Sequence, residues 1–510
     1  MNRTFAYLAL PALLAGCQTL PSLENRSESL RMHIASAPRL ESALQPAAAG
    51  LADQEQNTSG VYLLGDAHDA FVARATLIES ADHSLDVQYY IWHNDVSGNL
   101  LFNMLYRAAD RGVRVRLLLD DNNTNGLDDV LAALNSHPNI EIRLFNPFTT
   151  RKWRALGYLT DFPRLNRRMH NKSLTADNKA TIVGGRNIGD EYFNVDGNTV
   201  FADLDILATG SVVSKVSDDF DRYWASQSAY PLERIIKHPN LAEGFAKLDR
   251  TDPKKTAVLN RYHADLAHSG LLQSIRANQV PFTQVKTELI SDDPAKGLDR
   301  DRNKPSIGAK LAESLQTPQH EIYLVSPYFV PTKAGTEALA DLTRDGVSVT
   351  VLTNSLQATD VAAVHSGYAR YRKPLLESGV KLYELKPNHA VPKSRDRGLT
   401  GSSSTSLHAK TFIVDQQRVF IGSLNLDPRS ARLNTEMGVV IESPEIASDM
   451  QRTLVNTTPE YAYKVTLGQH NKLQWHDPET GEILKKEPEA GFWKRLTVKI
   501  LSVLPIEGLL

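Results

Sequence analysis

Two stretches with the same internal spacing constrain this chain more than any other feature. His170-Asn171-Lys172 is followed by Asp177, Gly184-Gly185 and Asn187; His408-Ala409-Lys410 is followed by Asp415, Gly422-Ser423 and Asn425. In each copy the offsets from the histidine are +2, +7, +14 and +17. One His-x-Lys with a later aspartate carries little weight, because a lone histidine is usually structural or solvated. Four shared offsets point to a duplicated unit, and the surroundings agree. Arg111-Gly112-Val113 matches Asp345-Gly346-Val347 at a separation of 234 positions, close to the 238 positions between His170 and His408.

The repeated unit reads as alternating helices and strands. Asp66 is placed to cap a helix reaching Ser80, with Phe71, Ala75 and Ile78 on one face. Strands follow at Ser84 to Ile91, at Val113 to Leu119 and at Ile140 to Phe145. Leu100, Leu101, Met104, Leu105 and Ala108 mark a helix between the first two. The second half repeats this order with strands at Glu321 to Val325 and Val347 to Thr353 around a helix at Gly335 to Arg344. Such alternation predicts an α/β fold, a mostly parallel or mixed sheet in each half with helices covering both faces.

At 510 residues the chain exceeds one core, and 41% hydrophobic with 23% charged residues describes an ordinary folded protein. A formal net charge of −2 argues against a general nucleic-acid binder. The pattern divides into domains at 59–228 and 285–470, an interdomain helical connection at 229–284 and an extension at 471–510.

The N-terminus has the form of a targeting segment, with Arg3 ahead of an apolar run, Phe5 to Leu14, that is too short to span a bilayer. Leu14-Ala15-Gly16-Cys17 resembles the lipobox of bacterial lipoproteins, and Cys17 is the sole cysteine. The expectation is a signal peptide at 1–16, acylation of Cys17 and a tether over 17–58; a plain secretion signal with an accidental cysteine is the rival. By analogy with bacterial sorting, Gln18 in place of Asp favours the outer membrane over the inner.

On a short strand, residues two apart share a face, so His170 projects with Lys172, and His408 with Lys410. A histidine beside a lysine calls for an anion. Two such units around a pseudo-twofold axis would place two imidazoles, two ammonium groups and the amides of Asn187 and Asn425 around one phosphate. One imidazole would attack phosphorus to give a phosphohistidine and the other would protonate the leaving oxygen. The lysines and asparagines would stabilise charge on the non-bridging oxygens. The rival, a metal site, suffers from the repulsion of a cation by two ammonium groups, so neither metal nor cofactor is expected.

Both motifs resemble the HKD signature of the phospholipase D superfamily, over nearly everything from Val61 onward. The resemblance implies a duplicated phospholipase D-like fold, two α/β domains sharing one active site. It also implies a carboxylate downstream of each motif that orients a histidine, here Asp203 and Glu436. Asp177, Asp415, Gly184, Gly185, Gly422 and Ser423 are expected to be structural. By family analogy alone the first-motif histidine is preferred as nucleophile. Val87 to Asp95, Gly184 to Phe193 and Asn425 to Ser430 are most similar to the C-type bacterial cardiolipin synthases. That similarity implies condensation of two phospholipids at a membrane surface. Hydrolysis to phosphatidic acid and a non-catalytic lipoprotein scaffold are the alternatives. Oligomeric state is not legible.

Four further features have two readings each. Tyr89, Tyr90 and Trp92 suit either a lipid entrance or core. Asp120-Asp121 suits a helix cap or a site, and 388–406 suits a lid or a disordered loop. Phe492, Trp493, Leu496, Ile500, Leu501 and Leu504 lie at helical spacing beside Lys494, Arg495 and Lys499, which favours a membrane-surface helix over a packed one.

Overall fold

The computed structural model describes residues 20–44, 57–195, 200–248, 253–301, 303–359, 361–387, 405–504 and 507–510. Cys17 with its signal segment, and 388–404 of the expected lid, lie outside the described residues.

The first half contributes strands β1 (Thr58–Leu64), β2 (Ser84–Ile91), β3 (Arg114–Asn123), β4 (Ile140–Phe145), β5 (Ser173–Ala176), β6 (Ala180–Gly184), β7 (Val200–Ala202), β8 (Asp205–Gly210) and β9 (Ala229–Pro231). The second contributes β10 (Thr283–Ser291), β11 (Glu321–Val325), β12 (Ser348–Asn354), β13 (Lys381–Leu385), β14 (Thr405–Leu407), β15 (Lys410–Val414), β16 (Arg418–Gly422), β17 (Met437–Glu442), β18 (Ala462–Leu467), β19 (Leu473–His476) and β20 (Ile483–Leu484). Pairing runs β9-β4-β3-β2-β5-β6-β8-β1 in one half and β10-β17-β16-β15-β11-β12-β13-β18-β19-β20 in the other. Inward from β4 and β13 the two orders match strand for strand: three parallel strands, then an antiparallel set. The antiparallel pair β1–β10 joins them into one 18-stranded sheet.

Side-chain alternation in these strands separates three large cores from smaller clusters such as that of Leu118, Phe145 and Ala229. Val183, Ile206 and Ala208 face Ile413, Val419, Ile421, Val439 and Ile441 in a core shared by the halves. Leu174, Ile182 and Leu207 face away into the first-half helices, as Phe412, Phe420 and Val440 do in the second. Helices flank this core as expected, with Val212, Val213 and Val216 of helix Ser211–Trp224 and Ile446 and Ala447 of helix Pro444–Tyr461 entering it, and between them the inner faces of the two halves cover each other. The shared core carries the two motifs to the same place.

The repeated aspartates are hairpin residues. Asp177 and Asn178 (φ 51° and 52°), and Asp415 and Gln416 (50° and 52°), make two-residue turns with both residues left-handed. The Asp177 carboxylate accepts from the backbone N–H groups of Asp82, His83 and Ser84, and that of Asp415 from Gln319, His320 and Glu321. Each hairpin is thereby tied to the start of the neighbouring central strand, β2 or β11.

Three boundaries differ from the sequence reading. Residues 20–44 are no tether: Leu40 and Leu44 enter the first-half core, and Arg26 donates to the carbonyls of Ser226 and Ala229. The segment 229–284 is no interdomain excursion either, because β9 extends the first-half sheet and the following helices pack on that half. Gly244 sits where a Cβ would be 2.1 Å from the Asp129 carbonyl, and Tyr262 packs edge-on against Phe71 at 5.2 Å. Beyond residue 470, β19 and β20 extend the sheet. The polar composition of these segments concealed a few well-placed apolar contacts.

Candidate functional site

Each motif histidine stands just before its short strand, and its carboxylate partner comes from the other half. His170 Nδ1 is 2.7 Å from Glu436 Oε2 and 3.1 Å from the Ser423 carbonyl; His408 Nδ1 is 2.5 Å from Asp203 Oδ2. Backbone pairing across the halves fixes this crossing. His170 N–H donates to Thr435 O and Thr435 N–H to Arg168 O, while β14 lies parallel to β7 and the His408 N–H donates to Ala202 O. In each pair the carboxylate at Nδ1 fixes the orientation of the imidazole. Lys172 and Lys410 each donate to the carbonyl of their own motif histidine.

The glycines of the first motif make room for acids. A Cβ on Gly184 would lie 2.2 Å from Asp205 Oδ1, and one on Gly185 would lie 2.1 Å from Asp203 Oδ1. Ser423 occupies the Gly185 position of the second copy, and its hydroxyl donates to Glu436 Oε2. A Cβ on Gly422 would collide with the Met437 carbonyl at 2.5 Å.

Each carboxylate has a buried cation behind it that the sequence reading missed. Arg186 donates to the Asp203 carbonyl and, with Arg74, contacts Asp205. The Lys296 ammonium is 2.7 Å from Asp292 Oδ2, which also accepts the Glu436 N–H, while Asp292 Oδ1 accepts that of Ile307. Arg186 falls between the shared offsets +14 and +17, where the second copy has Leu424, and Arg74 and Lys296 lie outside the repeated spacing, so no periodic signal marked the three cations. Asp120-Asp121 belongs to the same kind of support and is not a helix cap. Asp120 pairs with Arg168 and accepts the N–H of Met169, the residue before His170, and Asp121 pairs with Arg151.

Burial and neighbouring charge set an asymmetry between the pairs. Burial, with Lys172 and Lys410 adding to it, holds His170 well below the usual imidazole range. Its partner Glu436 is pushed up by burial to about 7. Asp203 is the opposite case: burial raises it, but the charges of His408 and Lys410 outweigh that and hold it below the ordinary carboxylate range. His408 is lowered, by burial first and Lys410 second. Burial lowers Lys172 to about 7. His170 is thus a neutral imidazole beside a weakly acidic carboxyl, and His408 faces a firmly ionised one.

Asn187 accepts from Ile91 N–H and donates to the Tyr192 hydroxyl at 2.9 Å, so at most one of its amide hydrogens serves a phosphate oxygen. Tyr192 lies edge-on to His408 at 5.3 Å, and Tyr90 edge-on to His170 at 4.9 Å. Asn425 is buried at the corresponding second-half position. Tyr89 and Trp92 are core residues, leaving Tyr90 as the strand-end aromatic at the site. The helix Phe492–Leu501 buries Val498 and leaves Phe492 and Trp493 64% and 76% exposed. Among the described residues one group, His93, Asp95 and Glu191, has metal-like spacing, but Asp95 caps the helix Val96–Asp110 by accepting from Gly98 N–H. No described helix is long and apolar enough to cross a membrane.

Comparison with known proteins bears on this arrangement. The sequence profile of the family described as "Cardiolipin synthase, PLD-like domain" matches residues 75–224 and 311–457, one stretch in each half. Cardiolipin synthase C of Escherichia coli (strain K12) is 49% identical over 480 residues, covering 93% of this chain and all of that one. Cardiolipin synthase A of Pseudomonas putida (strain W619) is 25% identical over 409 residues, 80% of this chain and 70% of that one. The crystal structure of phosphatidylserine synthase from Haemophilus influenzae Rd KW20 superposes with a TM-score of 0.57 at 15% identity, covering 92% of this chain and all of that one, which establishes the shared fold. By profile, by sequence identity and by its duplicated architecture, this chain belongs to the cardiolipin synthase family of phospholipase D-like proteins.

Proposed function

We propose that this chain is a phosphatidyltransferase that forms cardiolipin from two phospholipids, phosphatidylglycerol with phosphatidylglycerol or phosphatidylethanolamine. The observation that carries the reading is the crossed pairing of His170 with Glu436 and His408 with Asp203, which puts two oriented imidazoles and two ammonium groups at one place. His170 Nε2 attacks the donor phosphorus as the bond from phosphorus to the leaving headgroup oxygen breaks. His408 gives that oxygen its proton, and glycerol departs from a phosphatidylglycerol donor or ethanolamine from a phosphatidylethanolamine donor, phosphatidylglycerol being the acceptor in both cases. The phosphatidyl group is then held through a P–N bond on His170. His408 next takes the proton of an acceptor hydroxyl, whose oxygen attacks phosphorus and returns the electron pair to His170. Lys172, Lys410, Asn425 and the remaining Asn187 N–H stabilise the equatorial oxygens.

The substrates and the 49% identical relative, itself a cardiolipin synthase, support placement at a bacterial membrane. Acylation of Cys17, in the outer membrane facing the periplasm, and contact of the exposed Phe492 and Trp493 with lipid complete the proposal. Purified protein in mixed micelles with labelled phosphatidylglycerol, alone and with phosphatidylethanolamine, tests it. Cardiolipin is the expected product; phosphatidic acid alone would assign the protein as a hydrolase, and no turnover would leave a scaffold.

A further inference from the structure

The halves match in topology but not in how their outer faces are filled. Helix Val96–Asp110 of the first half buries Leu100, Leu101, Phe102 and Leu105, and Phe102 stacks on Trp92 at 4.4 Å. Its counterpart Thr332–Arg344, aligned through Gly112 and Gly346 at the shared separation of 234, carries Gly335 where Leu101 stands and Thr336 where Phe102 stands. Thr336 is its one buried residue. The counterpart of the solid first-half core is an apolar groove of about 560 Å³ between Ile307–Leu315 and Thr332–Arg344.

Leu311, Leu324, Leu339, Leu342, Phe412 and Leu424 line the groove. One end is made by Asn425 with Asp427 and Arg432, directly after the second motif; the other lies at the turn Gln316 to Pro318. Over the helix Ile307–Leu315 this is a run of about 14 Å at 1.5 Å per residue. Asn425 is 4% exposed, and its Oδ1 has no hydrogen-bond partner among the described residues. A polar end continuous with the phosphate site and an apolar body running away from it match the polarity of a phospholipid.

We propose that this groove holds one acyl chain of the phospholipid whose phosphate lies between His170 and His408. The inference rests on the function proposed above and adds a chain-length-reading subsite built in the second half. Excluding one or two methylenes from an apolar pocket costs a factor of about 10–200. Ala338→Trp, or Gly335→Leu should the first fail to fold, fills the groove. Either should lower the rate ratio of dioleoyl- to dihexanoyl-phosphatidylglycerol about tenfold or more.

A second arm does not depend on turnover. Phosphatidylglycerol bearing a diazirine at one acyl terminus is photolysed with the His170→Ala variant and the adducts are mapped. Labelling within 307–318 or 332–342, lost on adding Ala338→Trp, is the expected result. Labelling confined to other peptides, or an unchanged chain-length ratio, overturns the groove assignment while leaving transfer activity intact; absence of transfer with labelling retained overturns only the proposed reaction.

Discussion

Asp203→Asn separates the two histidines by role. Asp203 is buried, stays ionised and lies 2.5 Å from His408 Nδ1, so it stabilises an imidazolium at His408 through a charge-assisted hydrogen bond. Such a bond contributes about 1.5–3 kcal/mol, equivalent to about 10- to 160-fold in rate. That loss should fall only on steps in which His408 carries the proton. With phosphatidylglycerol the leaving glycerol oxygen needs that proton, so formation of the phosphatidyl-enzyme should slow by the full factor. With a phosphatidyl p-nitrophenyl ester the phenolate leaves unaided, and the pre-steady-state burst of p-nitrophenolate should change little. Glu436→Gln, acting on the attacking histidine, should slow both bursts. Equal losses on both donors in Asp203→Asn would refute the assignment of His408 as the acid.

Three other outcomes follow from the same geometry. The profile of kcat/KM against pH, which reports the free enzyme, should be bell-shaped with its maximum at or below about 7, because His408, the acid, is itself lowered from the usual imidazole range. Below that, Glu436, raised to about 7, takes a proton and no longer accepts from His170; above it, Lys172, lowered to about 7, loses its charge, and a flat profile between pH 6 and 9 would contradict both. Gly185→Ala should reproduce the donor selectivity of Asp203→Asn with little loss of stability, measured by the same two bursts, because the new Cβ displaces the Asp203 carboxylate from 2.1 Å. Arg74→Met leaves Asp205 buried without its closest cation and should lower the unfolding free energy in urea by about 3–5 kcal/mol.

Much of this site was legible because duplication writes the same physical requirement twice. Asp177 and Asp415 recur since each hairpin must be tied to its neighbouring strand, and Gly184 recurs as Gly422 because neither position has room for a Cβ, Asp205 crowding the first and the Met437 carbonyl the second. Asp203 and Glu436 came from resemblance, yet the crossing of their partners was invisible: sequence order pairs each acid with the motif before it, whereas β7–β14 pairing and the Met169–Thr435 bridge exchange them. Arg74 and Lys296 have no counterpart at repeated offsets, and their role appears only when the chain folds them beneath a carboxylate. Residues 20–44 were misread because scattered Leu40 and Leu44 have no periodicity of their own until they meet the first-half core.

The central claim is that both halves act on one phosphate and that His170 carries the phosphatidyl group. Rapid quenching of the His408→Ala variant with an acyl-labelled phosphatidyl p-nitrophenyl ester tests this most directly, since the adduct forms without an acid and persists without a base. The account predicts an acid-labile label on the peptide containing His170, absent in His170→Ala. A label on any other residue, or burst release of p-nitrophenolate with no adduct, would contradict it.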